Sequence, residues 1–177
     1  METRVAAGPD ELARAVRRLC RLSGEFTLRS GAVASTYFDK YLFEADPMVL
    51  RSVAERLVPL VPADTEVLAG LELGGVPVAT ALSLVTGLPT AFVRKEAKPY
   101  GTAKLAEGAG IAERRVLVVE DVVTTGGQVV ASTEQLRSRG ADVQSVLCVI
   151  DRSDGNHELL GAAGLSIVSL FTAQDLM

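Results

Sequence analysis

The sequence is poor in the residues that build metal centres and disulfide frameworks. Its 177 residues include one histidine and two cysteines, Cys20 and Cys148, which lie far apart in apolar stretches. This scarcity excludes a zinc site built from histidine and cysteine and favours buried free thiols over a disulfide. Free thiols are typical of a reducing compartment, so we expect a cytoplasmic protein.

Long apolar runs and an excess of basic residues are also absent. No apolar run reaches the roughly 18 residues of a membrane-spanning helix, and the charged first residues lack the apolar core of a secretion signal. We therefore expect a soluble protein that is not exported. Lys and Arg number 18 against 22 Asp and Glu, a net charge of −4, which argues against a general binder of nucleic acid or anionic membranes. A small molecule or another protein chain is the expected partner.

Apolar runs that alternate with helical patterns are present along most of the chain. This alternation predicts an α/β fold with a largely parallel sheet and helices on both faces. The predicted strands are residues 67–71, 90–93, 116–119, 143–150 and 165–170. The predicted helices are residues 11–21, 47–58, a segment that follows the turn at 72–75 and runs through residue 84, and residues 129–139. We expect one domain, with an N-terminal helix and hood over residues 1–45 and an α/β core over residues 46–177.

The stretch VLVVEDVVTTGGQ, residues 116–128, carries the strongest functional signal. A buried strand ends in the acidic pair Glu120 and Asp121, and a turn of small residues, 124–127, then leads into a helix. Free amides at a helix start favour a phosphate, and open α/β sheets bind ligands at the carboxyl ends of their strands. A ligand with a phosphate and hydroxyl groups fits this pattern, although the acidic pair taken alone could merely cap the strand.

Two other segments are candidates for binding anions. The turn at residues 72–75 follows a predicted strand and contains Gly74 and Gly75, so it is either a second anion site or a tight turn only. Residues 94–104 hold four basic residues and one acidic residue in a chain that is acidic as a whole. Residues 94–110 are therefore predicted to be a mobile lid over a polyanion, with a solvated surface loop as the alternative.

Together these motifs resemble the type I phosphoribosyltransferases. The EDVVTTGG block resembles the family's signature for phosphoribosyl pyrophosphate (PRPP). FTLRSG, TYFD, AGLELGG, FVRKEAKPYGT and IDR then follow the order found in the orotate phosphoribosyltransferases of that family, between Phe26 and Arg152. The resemblance implies the type I phosphoribosyltransferase fold, a Rossmann-like sheet with a small hood. It also implies transfer of the 5-phosphoribosyl group of PRPP to orotate in pyrimidine (UMP) synthesis, with Mg²⁺ carried by PRPP rather than tightly bound by the protein.

The resemblance also implies roles for individual residues. Lys95, Lys98 and Arg94 would be catalytic, and Arg94 would reach the neighbouring active site of a homodimer. Glu120 and Asp121 would hold the ribose hydroxyls. The implied PRPP-binding set is Arg94, Lys95, Lys98, Glu120, Asp121, Val122, Val123, Thr124, Thr125, Gly126, Gly127, Gln128, Glu72, Leu73 and Gly74. The implied orotate-binding set is Thr124, Arg152, Arg29, Tyr37 and Phe38, of which Tyr37 and Phe38 could also be ordinary core aromatics.

Some positions depart from the family pattern. Gln128 stands where a small residue is more common, and Tyr100 replaces a lid histidine, so no histidine acid is assigned. Arg29 matches a position that commonly holds lysine. A phosphoribosyltransferase for another base, which would not require Arg152, and a PRPP-sensing regulator without turnover are the alternatives. The basic residues of the lid favour an enzyme.

Overall fold

The N-terminal part of the chain forms three helices and a hairpin beside the main sheet. A computed structural model describes residues 9–27, 31–95 and 105–177. Helix α1 (Pro9–Cys20) leads into strands β1 (Arg21–Thr27) and β2 (Val33–Phe38), which pair antiparallel as a separate two-stranded sheet. Helices α2 (Tyr41–Ala45) and α3 (Pro47–Leu57) follow. Asp46 caps α3, because its Oδ1 accepts hydrogen bonds from the amides of Met48 and Val49.

The remaining strands form one six-stranded sheet. They are β3 (Val67–Leu71), β4 (Thr90–Val93), β5 (Ala106–Gly108), β6 (Val116–Val123), β7 (Ser145–Asp151) and β8 (Ser166–Thr172). Their spatial order is β5-β4-β3-β6-β7-β8, and only β5 runs antiparallel to its neighbour. Helices α4 (Gly75–Thr86), α5 (Gly127–Arg137) and α6 (Glu158–Ala162) belong to the connections. The predicted largely parallel α/β sheet is therefore confirmed.

Both faces of the sheet are covered, which explains why its central strands lack polar alternation. On one face, side chains such as Leu117 and Val119 pack with α1, α3 and α4 in one buried cluster. On the other face, Val116 and Val118 pack with residues of α5 and α6 in a second cluster. Residues of α1 share one buried cluster with the sheet, so this helix is packed against the α/β core. The predicted division of the domain at residue 45 stays a prediction.

Several predicted boundaries were wrong. Strand β6 runs on to Val123, so the acidic pair lies inside the strand rather than after it. Helix α5 begins at Gly127 and ends at Arg137, two residues earlier at each end than predicted, and Gly140 (φ 88°) lies beyond it. The connection at 94–110 contains strand β5, which the sequence pattern did not indicate; residues 96–104 of the predicted lid lie outside the described residues. No helix in the described ranges is long and apolar enough to cross a membrane.

Candidate active site

The candidate site lies where the direction of the sheet's connections changes. Strand β3 continues to β4 on one side, whereas its other neighbour, β6, continues to β7 and β8 on the opposite side. Ligands of open α/β sheets bind at such a switch point, beyond the carboxyl ends of the strands. A cavity of about 220 Å³ opens there. Its wall consists of Lys40, Tyr41, Glu72, Leu73, Lys95, Glu120, Val122, Val123, Thr124, Thr125, Gly126, Gly127, Gln128 and Val129.

Two glycines allow the loop after β3 to pack closely against β6 at this site. A Cβ on Gly75 would overlap the carbonyl oxygen of Val119, and a Cβ on Gly74 would overlap the carboxylate of Asp121. Loop 72–75 therefore approaches β6 more closely than any residue with a side chain permits. This contact brings the two predicted anion-binding turns to one cavity, although Gly74 itself is buried behind the wall.

The turn after β6 presents free backbone amides to the cavity. Gly126 is the N-cap of α5 with φ 77°, and no side chain caps the helix. Thr124, Thr125 and Gly127 are exposed around it. An uncapped helix start carries unpaired N–H groups and the positive end of the helix dipole, both of which favour a phosphate. Gln128 extends along the helix, where its Nε2 donates to Ser132 Oγ at 3.1 Å, so its larger side chain leaves this turn open.

The acidic pair is divided between the wall of the cavity and the protein interior. Glu120 lines the cavity and is only 8% exposed, whereas Asp121 is fully buried. The carboxylate of Asp121 lies 2.6 Å from Lys40 Nζ and close to the carboxyl of Glu44 on α2. Glu120 therefore faces the cavity and Asp121 lies behind it, and the predicted contact of both acids with the ribose hydroxyls stays a prediction.

The charges of these three carboxyl groups are coupled. Burial raises the pKa of Glu120 and of Glu44 well above the ordinary value, and the negative charge of Asp121 adds to both shifts. Burial also opposes ionisation of Asp121, but hydrogen bonds from Glu120 and Glu44 and the charge of Lys40 outweigh it, so the pKa of Asp121 is lowered. Near neutral pH the cluster therefore holds one carboxylate paired with one ammonium, flanked by two protonated carboxyls.

The base of the predicted lid is joined to loop 72–75. The amide of Glu72 donates to the carbonyl of Val93 at 2.9 Å, and the amide of Lys95 donates to Glu72 Oε1 at 2.5 Å. Lys95 lies in the cavity wall, whereas Arg94 is half-buried beside it and bonds through its amide to Leu105. Lys98 and Tyr100 fall outside the described residues, so their predicted places stay untested.

Of the predicted orotate residues that the structure describes, Thr124 lines the cavity, and the others are placed by separate contacts. Arg152 is exposed next to the end of β6, where its amide donates to the carbonyl of Val123 at 2.8 Å. Tyr37 is exposed on the hairpin and stacks at 5.6 Å on Phe26, whereas Phe38 packs against the core. Arg29 lies outside the described residues.

Comparison with known proteins decides the family. The family model "Phosphoribosyl transferase domain" matches residues 48–161. An orotate phosphoribosyltransferase of Nocardioides sp. is 53% identical over 165 residues, which cover 93% of this chain and 92% of that protein. The chain belongs to the orotate phosphoribosyltransferase family. The predicted family and the predicted class of enzyme, a phosphoribosyltransferase, are thereby confirmed.

Solved structures of this family agree with the fold. The orotate phosphoribosyltransferase of Mycobacterium tuberculosis, solved with Fe(III) dicitrate, superposes with a TM-score of 0.86 at 36% identity, covering 95% of this chain and 98% of that one. The same enzyme in complex with PRPP gives a TM-score of 0.81 at 33% identity, with the same coverage. The type I phosphoribosyltransferase fold predicted from the sequence is therefore confirmed.

The sequence motifs of the orotate phosphoribosyltransferase family did not reveal the whole cavity. Lys40, Tyr41 and Val129 line it, and Glu44 lies beneath it, yet none was predicted to be a site residue. The available signal was the short segment after TYFD, in which Lys40 and Glu44 are four residues apart. That spacing alone does not distinguish a site from a solvated helix.

Proposed function

We propose that this chain transfers the 5-phosphoribosyl group of PRPP to orotate, which gives orotidine 5′-monophosphate and pyrophosphate in the synthesis of UMP. The observation that carries this proposal is the single cavity at the β3/β6 switch point, which combines an uncapped helix start, a carboxyl group and a lysine. These groups match the phosphate, the ribose hydroxyls and the pyrophosphate of PRPP.

The phosphate and the ribose would bind along the end of β6. Amides of residues 125–128 would hold the 5′-phosphate, because their donors point outward at the helix start. Glu120 would accept hydrogen bonds from the ribose hydroxyls, as would Asp121 if its contact with Lys40 opens. Each role is a proposal from the family resemblance, supported by the places of these residues in or behind the wall.

The leaving group would lie between loop 72–75 and the lid. As the bond from ribose C1 to pyrophosphate breaks, the ribose becomes cation-like and negative charge grows on the leaving oxygens. Lys95, and by resemblance Lys98 and Arg94, would stabilise that charge. Closure of residues 94–110 would exclude water, which would otherwise capture the ribosyl cation. If a folded Lys98→Ala variant turned over at the wild-type rate with PRPP bound normally, this lid mechanism would be wrong.

Orotate would bind beside Thr124 and Arg152. The guanidinium of Arg152 would pair with the orotate carboxylate through two hydrogen bonds. A base without a carboxylate would leave this guanidinium unpaired, which gives a physical basis for selecting orotate over uracil. Tyr37 would lie near the ring, whereas the packing of Phe38 against the core supports a structural role for that residue.

Magnesium would reach the site with PRPP. Among the described residues, no group of three or more histidine, cysteine, aspartate or glutamate side chains is placed to hold a metal ion. Mg²⁺ prefers oxygen ligands and is commonly held by substrate phosphates with one or two carboxylates, so Glu72 in the wall, and Glu120 once its proton is lost, fit such an ion. When bound, the ion would offset the charge of the pyrophosphate.

A cytoplasmic homodimer completes the proposal. Cys20 and Cys148 are buried free thiols, which supports a reducing compartment. Leu84 on α4 is 83% exposed and Phe92 on β4 is 38% exposed. A second copy that covers such apolar side chains would form the homodimer in which, by family resemblance, Arg94 reaches the neighbouring site.

Incubation with PRPP, Mg²⁺ and a panel of bases tests the reaction directly. Pyrophosphate release with orotate alone is the expected result. Release with uracil or a purine instead would contradict the proposed substrate, and tight PRPP binding without release from any base would favour a regulator. An Arg51→Met variant, which changes one charge on the exposed face of α3, serves as a control for nonspecific loss of activity.

A further inference from the structure

Lys40 lies between the buried acidic cluster and the open cavity. Its side chain is 32% exposed and lines the same wall as Lys95, while its Nζ contacts the fully buried Asp121 at 2.6 Å. An ammonium group has three N–H donors. The contact with Asp121 occupies one of them, so donors remain for a ligand in the cavity.

The local backbone and a ring contact hold Lys40 in this position. Asp39 Oδ1 accepts a hydrogen bond from the amide of Tyr41 at 3.1 Å, and the amide of Asp39 donates to the carbonyl of Cys20 at 2.8 Å. The Tyr41 ring centre lies 5.2 Å from Lys40 Nζ, within range of a cation–π contact. A lysine restrained on both sides loses less conformational freedom when it binds a ligand.

The charges around Lys40 favour an anionic ligand. The carboxylate of Asp121, which lies behind the wall, would repel an anion if no cation stood in front of it. Of the described residues in the wall, Lys40 and Lys95 carry the positive charges. Burial would lower the pKa of Lys40, but the hydrogen bond and the charge of Asp121 raise it above the ordinary value, so the ammonium stays protonated.

The position of Asp121 places Lys40 beside the loop after β3. The Asp121 Oδ2 atom that contacts Lys40 also lies against Gly74, where a Cβ would overlap it. Lys40 therefore lies at loop 72–75, the segment to which the leaving group is assigned above. We propose that Lys40 binds the pyrophosphate group of PRPP directly and that the buried carboxylate of Asp121 holds it in place. This proposal rests on the proposed function only in naming PRPP as the source of the pyrophosphate.

Magnesium pyrophosphate and orotidine 5′-monophosphate are the probes that test this role, each titrated calorimetrically into the full-length protein. Lys40→Met should weaken pyrophosphate binding and raise the KM for PRPP by about tenfold or more, the usual effect of losing a charged hydrogen bond. Binding of orotidine 5′-monophosphate and the KM for orotate should change less than about twofold. Lys40→Arg should retain most of the pyrophosphate affinity, and Arg51→Met should match the wild type in both titrations.

Unchanged pyrophosphate affinity in a folded Lys40→Met protein overturns the proposal. A fall in kcat alone with a shifted pH profile also overturns it, because Lys40 would then act only through Asp121. If Lys40→Met does not fold, the double variant Lys40→Met/Asp121→Asn removes both charges of the ion pair. The proposal then requires that this double variant binds pyrophosphate more weakly than the wild type. The two proposals can fail separately. If the titrations show that Lys40 binds pyrophosphate but incubation with PRPP and orotate releases no pyrophosphate, the proposed reaction is wrong and the role of Lys40 stands.

Discussion

The amide of Lys95 donates a 2.5 Å hydrogen bond to the side chain of Glu72, two residues that are 23 positions apart in the chain. The amide of Glu72 in turn bonds to Val93, so loop 72–75 is tied to the end of β4 at two points. Lys95 is the second residue of the predicted lid at 94–110, and Glu72 is the first residue of the turn at 72–75, the other candidate anion site. The two predicted anion-binding segments are therefore linked by hydrogen bonds where they enter the cavity.

Removal of the Glu72 side chain should loosen this link. We expect Glu72→Ala to raise the KM for PRPP about fivefold, the effect of one lost hydrogen bond. Glu72→Gln should stay near the wild-type KM, because its amide oxygen still accepts from Lys95. Steady-state kinetics at saturating orotate provide the measurement. Equal effects of the two substitutions would indicate that the charge of Glu72, rather than the hydrogen bond, matters.

The contact between loop 72–75 and β6 predicts a sharp difference between two glycines. Gly75→Ala should lower the free energy of unfolding by about 2 kcal/mol or more, because the new Cβ meets the backbone of Val119. Gly161→Ala is the matched control, since a Cβ in α6 has no neighbour within 4 Å, and it should be neutral or stabilising by up to about 1 kcal/mol. Urea denaturation measures both, and equal stabilities would contradict the close approach.

The buried Glu44 should make stability depend on pH. Its pKa is raised in the folded protein, so at a pH between the unfolded and folded pKa values the chain takes up a proton when it folds. The stability that the protonated Glu44 contributes is therefore lost as the pH rises toward about 9. Glu44→Gln removes this proton uptake. The free energy of unfolding of the variant relative to the wild type should therefore rise with pH, by up to about 1.4 kcal/mol per pH unit. Urea denaturation at pH 6, 7.5 and 9 tests this, and parallel pH profiles would exclude a protonated Glu44.

Substitution of Arg152 should affect orotate rather than PRPP. We expect Arg152→Ala to lower kcat/KM for orotate about 100-fold, because the carboxylate loses a paired guanidinium. The KM for PRPP should change little. Arg152→Lys keeps the charge but not the two-point geometry and should be intermediate. A variant with unchanged orotate kinetics would remove Arg152 from the binding site.

Mixing two inactive chains tests whether active sites are shared. Arg94→Ala and Glu120→Gln are suitable parents, since Glu120 lines the cavity and Arg94 is expected to act across the dimer. If subunits exchange, half of the dimers are hybrids with one intact site each, which restores about a quarter of the wild-type activity. No recovery in verified hybrid dimers would show that Arg94 acts within its own subunit.

The sequence by itself determined most strands and helices of the core and the order of the functional motifs. Unbroken apolar runs such as residues 67–71 and 116–119 predicted buried parallel strands, because only a sheet covered on both faces lacks polar alternation. The small residues at 124–127 and the motif order predicted the phosphate turn and the family. These features are local, so a single stretch of chain contains the information that defines them.

Only the tertiary structure decided which side chains meet. Strand β6 extends to Val123 because it pairs with β7 up to Asp151, a partner remote in sequence. The same pairing directs Glu120 into the cavity wall and leaves Asp121 buried, where it contacts Lys40 from a different part of the chain. Strand β5 forms because β4 offers it an edge. Such contacts depend on three-dimensional proximity, which residue patterns do not encode locally, and for that reason Lys40 and Glu44 emerged from the structure alone.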